Sequence, residues 1–152
     1  LEKVEVRQDG KQLVEETLIK IMLEDKKIRE IALLKVEESD FLLKESKEIL
    51  NYMIKNQELD KITIDKLKSL NISEEYLKEL NSISLNSINL ENTKEIEGII
   101  TNIRKNSLEE QINSLLREQQ ELENNNDMKE VDGRVMEIAL KIVEINKILK
   151  SL

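Results

Sequence analysis

The sequence predicts an all-α protein: an N-terminal helical bundle, a long connecting helix and a C-terminal antiparallel helical hairpin. Three observations carry this. The 152 residues include no proline, where an average composition of ~5% would supply roughly seven or eight. Proline clashes with the preceding helical turn and removes a donor, so its absence suits long uninterrupted helices. There are only three glycines among abundant Leu, Ile, Glu and Lys, which are good helix formers. Finally, the last 25 residues repeat apolar side chains in heptads. The expected division is residues 1–106 for the bundle and 107–152 for the hairpin.

Residues 1–9 have no helical period and read as a frayed lead-in. A first helix is expected over residues 11–24, with Val14, Leu18, Ile21 and Met22 on one face at 3.6 spacing. Asp25 reads as the N-cap of a short helix over 26–36, with Ile28, Ile31 and Leu34/Lys35 turned inward. Residues 37–40, Glu-Glu-Ser-Asp, form a polar break. A third helix follows over 41–55, its inner stripe Leu42, Ser46, Ile49, Leu50 and Met53. Phe41 sits at its start, where one large ring can plug the end of a bundle.

Ile62-Thr63-Ile64 reads as locally extended, with Thr63 a cap for a short helix through Leu70. Ser73 caps another over 74–81, and Ile72 and Leu77 have the spacing of a hydrophobic staple. Residues 82–91, rich in Ser and Asn and poor in charge, read as a loop holding one helical turn.

Thr93 opens a long helical pattern with Ile96, Ile100 and Ile103 inward. A second apolar set is Leu108, Ile112, Leu115, Gln119 and Leu122. Spacing alternates between four and three within each set, but is five between Ile103 and Leu108, so the stripe changes azimuth. Ser107 and Glu110 form a Ser-x-x-Glu capping box at the jump. Either one long helix carries two contact faces, or it bends or breaks near Ser107. Residues 124–127, Asn-Asn-Asn-Asp, read as a turn, with Asp127 capping the last helix and Glu130 at its third position. Met128, Val131, Val135, Ile138, Ile142, Ile145, Leu149 and Leu152 then follow at 3-4-3-4-3-4-3, a sustained heptad seam. The arms over 108–123 and 128–152 are expected to pair, with Leu149 and Leu152 running back towards Ile100 and Ile103.

The composition narrows function. There is no His and no Cys, which removes Ser-His-Asp and Cys-His catalysis, zinc motifs that need either residue and disulfides. The chain has no glycine-rich phosphate loop and no calcium-loop pattern. No catalytic activity, cofactor or metal is expected of this chain. The net charge is −8 and no basic run exceeds two residues, so neither direct nucleic-acid contact nor an anionic membrane surface is expected. No apolar run approaches the ~20 residues of a membrane span. A reducing, cytoplasmic setting is expected from the lack of cysteine. The chain starts at Leu1 rather than Met, as a fragment, a processed chain or an expression product would. Hydrophobic residues make up 39% and charged residues 37% of the chain, a balance that suits a small bundle or extended hairpin with much surface for its volume.

A two-helix hairpin uses one stripe per helix, and the last helix has a second: Met136, Leu140 and Val143, with Ala139 beside it. Leu116 is a similar extra on the facing arm. Exposed apolar patches commonly mark partner surfaces, and i, i+4, i+7 anchors are a known recognition mode. Leu116, Met136, Leu140 and Val143 are therefore the candidate partner-binding residues. The other readings of the same stripe are packing onto the N-terminal helices and self-association. Elsewhere, Lys26, Lys27 and Arg29 read as a solvated face. Arg104 and Lys105 suit either an acidic partner or helix C-terminal carbonyls. Gly133 either admits close approach of the other arm or marks a fraying helix start. Tyr52 and Tyr76 read as core edge.

The order of elements resembles the C-terminal helicase-binding domain of bacterial DnaG-type primases, a bundle followed by a long helix and a terminal hairpin. Residues 16–25 (ETLIKIMLED) resemble that family's first helix and the acidic turn after it. Phe41 matches a Phe that opens a bundle helix, and residues 108–111 through the Asn-rich turn to 142–147 resemble its hairpin. The similarity spans residues 14–152 and is weakest over 57–92. The bundle is also similar to the N-terminal domain of the DnaB helicase, which leaves that domain, or an oligomerising coiled-coil adaptor, as alternatives. The resemblance implies a module that docks primase onto the ring-shaped DnaB helicase during DNA replication, mainly through the hairpin, and modulates helicase and priming activity. It also implies that primer synthesis, with its zinc and magnesium, belongs to parts of a parent primase outside this chain.

Overall fold

A computed structural model describes the backbone of residues 10–124 and 128–152, and the side chains of 10–124 and 133–152. The expected lead-in at 1–9, the turn at 125–127, the Asp127 cap, Glu130 and the burial of Met128 and Val131 lie outside the described residues. The described residues form α1 (Gly10–Glu24), α2 (Lys26–Leu33), a 3-10 turn (Glu38–Asp40), α3 (Lys44–Lys55), α4 (Ile64–Leu67), α5 (Glu74–Ser82), α6 (Thr93–Glu123) and α7 (Met128–Ser151), with no strand among them. The chain is all-α. It divides into two compact units between Arg104 and Lys105.

In the first unit α1 is the central element, packing on α2, α3 and α5. Leu18, Ile19, Ile21 and Met22 are fully buried, together with Ile49, Leu50 and Met53 of α3 and Tyr76 and Leu80 of α5. Ile96, Ile100 and Ile103 of α6 join the same core. At roughly 1.5–3 kcal/mol for each fully buried large apolar side chain, these stripes hold the unit together. Two of the caps that the sequence announces are present: Asp25 accepts from the Ile28 N–H at 3.0 Å, and Ser73 from the Tyr76 N–H at 3.2 Å; Thr63 stands at the N-cap of α4 but its side chain makes no capping hydrogen bond. Ile72 and Leu77, the staple pair, both pack in the core.

Several expectations are corrected. Helix α2 ends at Leu33, three residues early, and its inward line is Ile28, Ala32 and Val36. Ile31 is 42% and Leu34 88% exposed, and Lys35 is exposed too. Leu34 follows the helix end, and the i, i+4 line through Ala32 faces the core where a line through Ile31 does not. Arg29, expected on a solvated face with Lys26 and Lys27, is fully buried. Helix α3 starts at Lys44, so Phe41 is buried from an extended backbone before the helix rather than from its first turn. Helix α4 stops at Leu67, short of Leu70. Residues 83–91 contain turns and no helical turn. Tyr76 lies in the core, not at its edge; Tyr52 is half-buried. Helix α6 is continuous through Ser107, so the Ser-x-x-Glu pattern is not a cap there. Ser107 is buried and extends the 4-3 line of Ile96, Ile100 and Ile103 by one more step of four.

Charged side chains of α1 and α2 finish the ends of other helices. Both carboxylate oxygens of Glu15 accept N–H groups, of Leu42 and Leu43, at 2.9 Å each. Lys20 donates to the carbonyl oxygens of Asn81 (3.1 Å) and Ile83 at the end of α5. Arg29 donates to Met22 O (3.1 Å), in the last turn of α1, and to Leu59 O. The end of α1 is closed further by Asp25 N to Ile21 O and Ile62 N to Leu23 O, both 2.9 Å. Helix ends leave N–H and C=O groups without intrahelical partners, and here side chains distant in sequence satisfy them.

Candidate protein-interaction surface

The second unit holds the candidate surface. Arg134 of α7 donates to both carboxylate oxygens of Glu118 on α6, one of the bonds at 3.0 Å, and to Glu137 at 3.0 Å. Residues 118 and 134 would lie about 24 Å apart along one straight helix at 1.5 Å per residue, so the chain reverses between them. The hydrogen bond and charge of Arg134 hold the Glu118 carboxyl below the usual carboxylate range, and the two carboxylates raise the guanidinium. Both groups of the Arg134–Glu118 pair are partly exposed, so solvent screening leaves the pair little weight in stability.

Burial then separates the faces of α7. Ile138 and Ile145 are buried, and Val135, Ile142, Leu149 and Leu152 are half-buried. On the second unit's part of α6, Leu108, Ile112, Leu115, Gln119 and Leu122 are half-buried. The other face of α7 is open: Met136 is 63%, Leu140 59% and Val143 51% exposed, with Ala139 exposed beside them. Steps of four and three residues return within about 20–40° of one azimuth on a 3.6-residue helix, so these three share one stripe. Leu116, 47% exposed, lies on the other arm, and the α7 stripe is complete without it. Ile148 is a further exposed apolar side chain that the sequence reading passed over; it sits off the stripe by about a third of a turn.

Gly133 is exposed, and a Cβ placed there would meet nothing within 4 Å. Close approach of the other arm is therefore not its role. Two lysines on the line of this face, Lys147 and Lys150, are exposed, and so is Lys141 further round the helix. The same 4-3 count that finds Val143 finds Lys147 and Lys150 next, which an apolar search of the sequence overlooks.

The first unit offers an open cleft of about 950 Å³ above Leu23, Ile62 and Leu77. Its four lysines stand among Glu24, Asp65 and Glu74, so its charge is nearly balanced. Among the described residues no group of His, Cys, Asp or Glu is arranged to hold a metal ion, and no helix is long and apolar enough to cross a membrane.

Fold and surface together define an all-helical protein with one open apolar stripe on its last helix. Comparison with protein-family models found none that matches, and comparisons with curated proteins and with solved structures likewise found no match.

Proposed function

We propose that this chain is a protein-docking module that ties a DnaG-type primase to the replicative DnaB-type helicase in the bacterial cytoplasm. The observation that carries docking is the open Met136–Leu140–Val143 stripe, which lies away from the buried Ile138 and Ile145 on the same helix. A helix buried on one side and apolar on another has a spare surface that water disfavours. Three anchors at i, i+4 and i+7 match the way an amphipathic helix meets a groove. The helicase as partner comes from the resemblance of the element order to primase helicase-binding domains. On this reading the chain contributes contact and modulation, and no bond-making. Primer synthesis and its metals lie with the rest of the parent protein.

The test is binding of the full 152-residue chain to the replicative helicase of the same organism. Wild type is expected to bind. Met136→Asp with Leu140→Asp is expected to weaken binding on the order of 1,000-fold, since interface hot-spot residues account for about 2 kcal/mol or more each, with helical content unchanged by circular dichroism. Binding that survives the double substitution would remove the stripe from the interface. Sedimentation of the chain alone distinguishes the adaptor reading, in which the heptad seam from Val131 to Leu152 holds a stable dimer.

A further inference from the structure

The line of the stripe does not end at Val143. Met136, Leu140, Val143, Lys147 and Lys150 follow one another at steps of four, three, four and three, and all five are exposed. The apolar run is thus prolonged on one azimuth by two lysines. In a chain of net charge −8, residues 140–152 carry Lys141, Lys147 and Lys150 against Glu144 alone. Lys141 stands near enough to Glu118 to help lower its carboxyl pKa, whereas Lys147 and Lys150 form no ion pair among the described residues.

Helix end effects account for part of this pattern. Lys150 is in the last turn of α7, where a cation offsets the partial negative charge of the free carbonyls. That effect fades beyond the last turn, so it does not explain Lys147, which lies one residue before it. Nor does the stripe resemble a membrane-binding face, which needs a larger apolar area together with a basic polar face.

We infer that the α7 stripe fits a protein groove that is apolar where it meets Met136, Leu140 and Val143 and acidic where it meets Lys147 and Lys150. This rests on the reading of the stripe as the docking surface, and adds the partner's charge and the direction in which α7 lies along it. The apolar anchors hold the complex, while the lysines steer encounter and set register, which is what charges at an interface rim chiefly do.

The experiment measures association and dissociation rates of the full chain with the immobilised replicative helicase at low and physiological ionic strength. The chains compared are wild type, Met136→Asp/Leu140→Asp, Lys147→Glu/Lys150→Glu and the milder Lys147→Gln/Lys150→Gln. Vesicles of phosphatidylserine and phosphatidylcholine form a parallel arm. The expected result is association slowed about tenfold or more by the Glu pair at low salt, less by the Gln pair, with a flatter salt dependence in both. Binding lost in the Asp pair but unchanged or faster in the Glu and Gln pairs would overturn the acidic groove and leave the docking reading intact. No binding by wild type would overturn the docking reading and this inference with it. Vesicle binding by wild type at physiological salt that the Glu pair abolishes would overturn the protein groove in favour of a lipid surface.

Discussion

Glu15 of α1 caps a helix that begins 29 residues later: its two carboxylate oxygens take the N–H groups of Leu42 and Leu43, 2.9 Å each, at the start of α3. Leu43, the N-cap residue of α3, has no side-chain oxygen of its own to offer. Burial pushes the Glu15 carboxyl above its ordinary value, and the two backbone hydrogen bonds pull it back down in part. The contact thus fastens α3 to α1 at the cost of burying a carboxylate.

Glu15→Ala is expected to destabilise the protein by about 2 kcal/mol, through lost capping and two stranded donors. Glu15→Gln keeps one acceptor and removes the buried charge, so its loss should be smaller. Urea unfolding of the three proteins measures both. Equal losses for Ala and Gln would show that the acceptor atoms contribute nothing.

The same carboxyl sets a pH dependence. A folded-state pKa raised above the unfolded value means that the folded protein binds the Glu15 proton more tightly. Its contribution to stability therefore rises as pH falls through the folded pKa and levels off below the unfolded one. Wild type should gain stability relative to Glu15→Gln between pH 7 and pH 4, read as a widening difference in Tm. A narrowing difference would reverse the sign of the shift.

Arg29 is fully buried and hydrogen bonded to the carbonyl oxygens of Met22 and Leu59. It ties the segment after α3 to the C-terminal end of α1. Arg29→Ala leaves a cavity and two carbonyls without their donor, and should cost on the order of 3 kcal/mol. Arg29→Lys keeps the charge but not the two-pronged reach of a guanidinium, and should fall between. A change below about 0.5 kcal/mol in the Ala variant, by chemical denaturation, would contradict this role.

Ser107 lies inside a continuous helix, although its sequence context imitates an N-cap. Removing a true N-cap serine costs about 1 kcal/mol. Inside a helix alanine is the better helix former. That gain opposes the loss of the hydrogen bond that Gln111 donates to the Ser107 hydroxyl, 3.5 Å long. Ser107→Ala is expected to change stability by less than about 0.5 kcal/mol. A loss of 1 kcal/mol or more in thermal unfolding would point to a helix end at this position.

Gly98 and Gly133 are helical, and a Cβ at either meets nothing within 4 Å. Each change to Ala should stabilise by about 0.5–1 kcal/mol, because glycine loses the most backbone freedom in a helix. Differential scanning calorimetry would show a raised Tm. A lowered Tm for Gly133→Ala would restore a close-packing role for that glycine.

The sequence by itself determined the helical class and most of the helices. Without proline, and with Leu, Ile, Glu and Lys at 3.6 spacing, little else can satisfy the backbone, and local caps such as Asp25 and Ser73 act within three residues. The exposed stripe of Met136, Leu140 and Val143 was also legible, because a helix with two apolar lines can bury only one in a hairpin. What only the tertiary structure decided concerns groups that answer one another across the chain. Ile31 and Ala32 are both apolar, and packing alone chose Ala32 for the core. Arg29 and Glu15 look like surface charges in sequence; each is buried because a helix end from another segment leaves free carbonyls or N–H groups beside it. Ser107 shows the reverse, a local signal overruled. A cap stabilises by about 1 kcal/mol, and an unbroken helix that keeps its own hydrogen bonds and buries residues on both sides of that serine gains more.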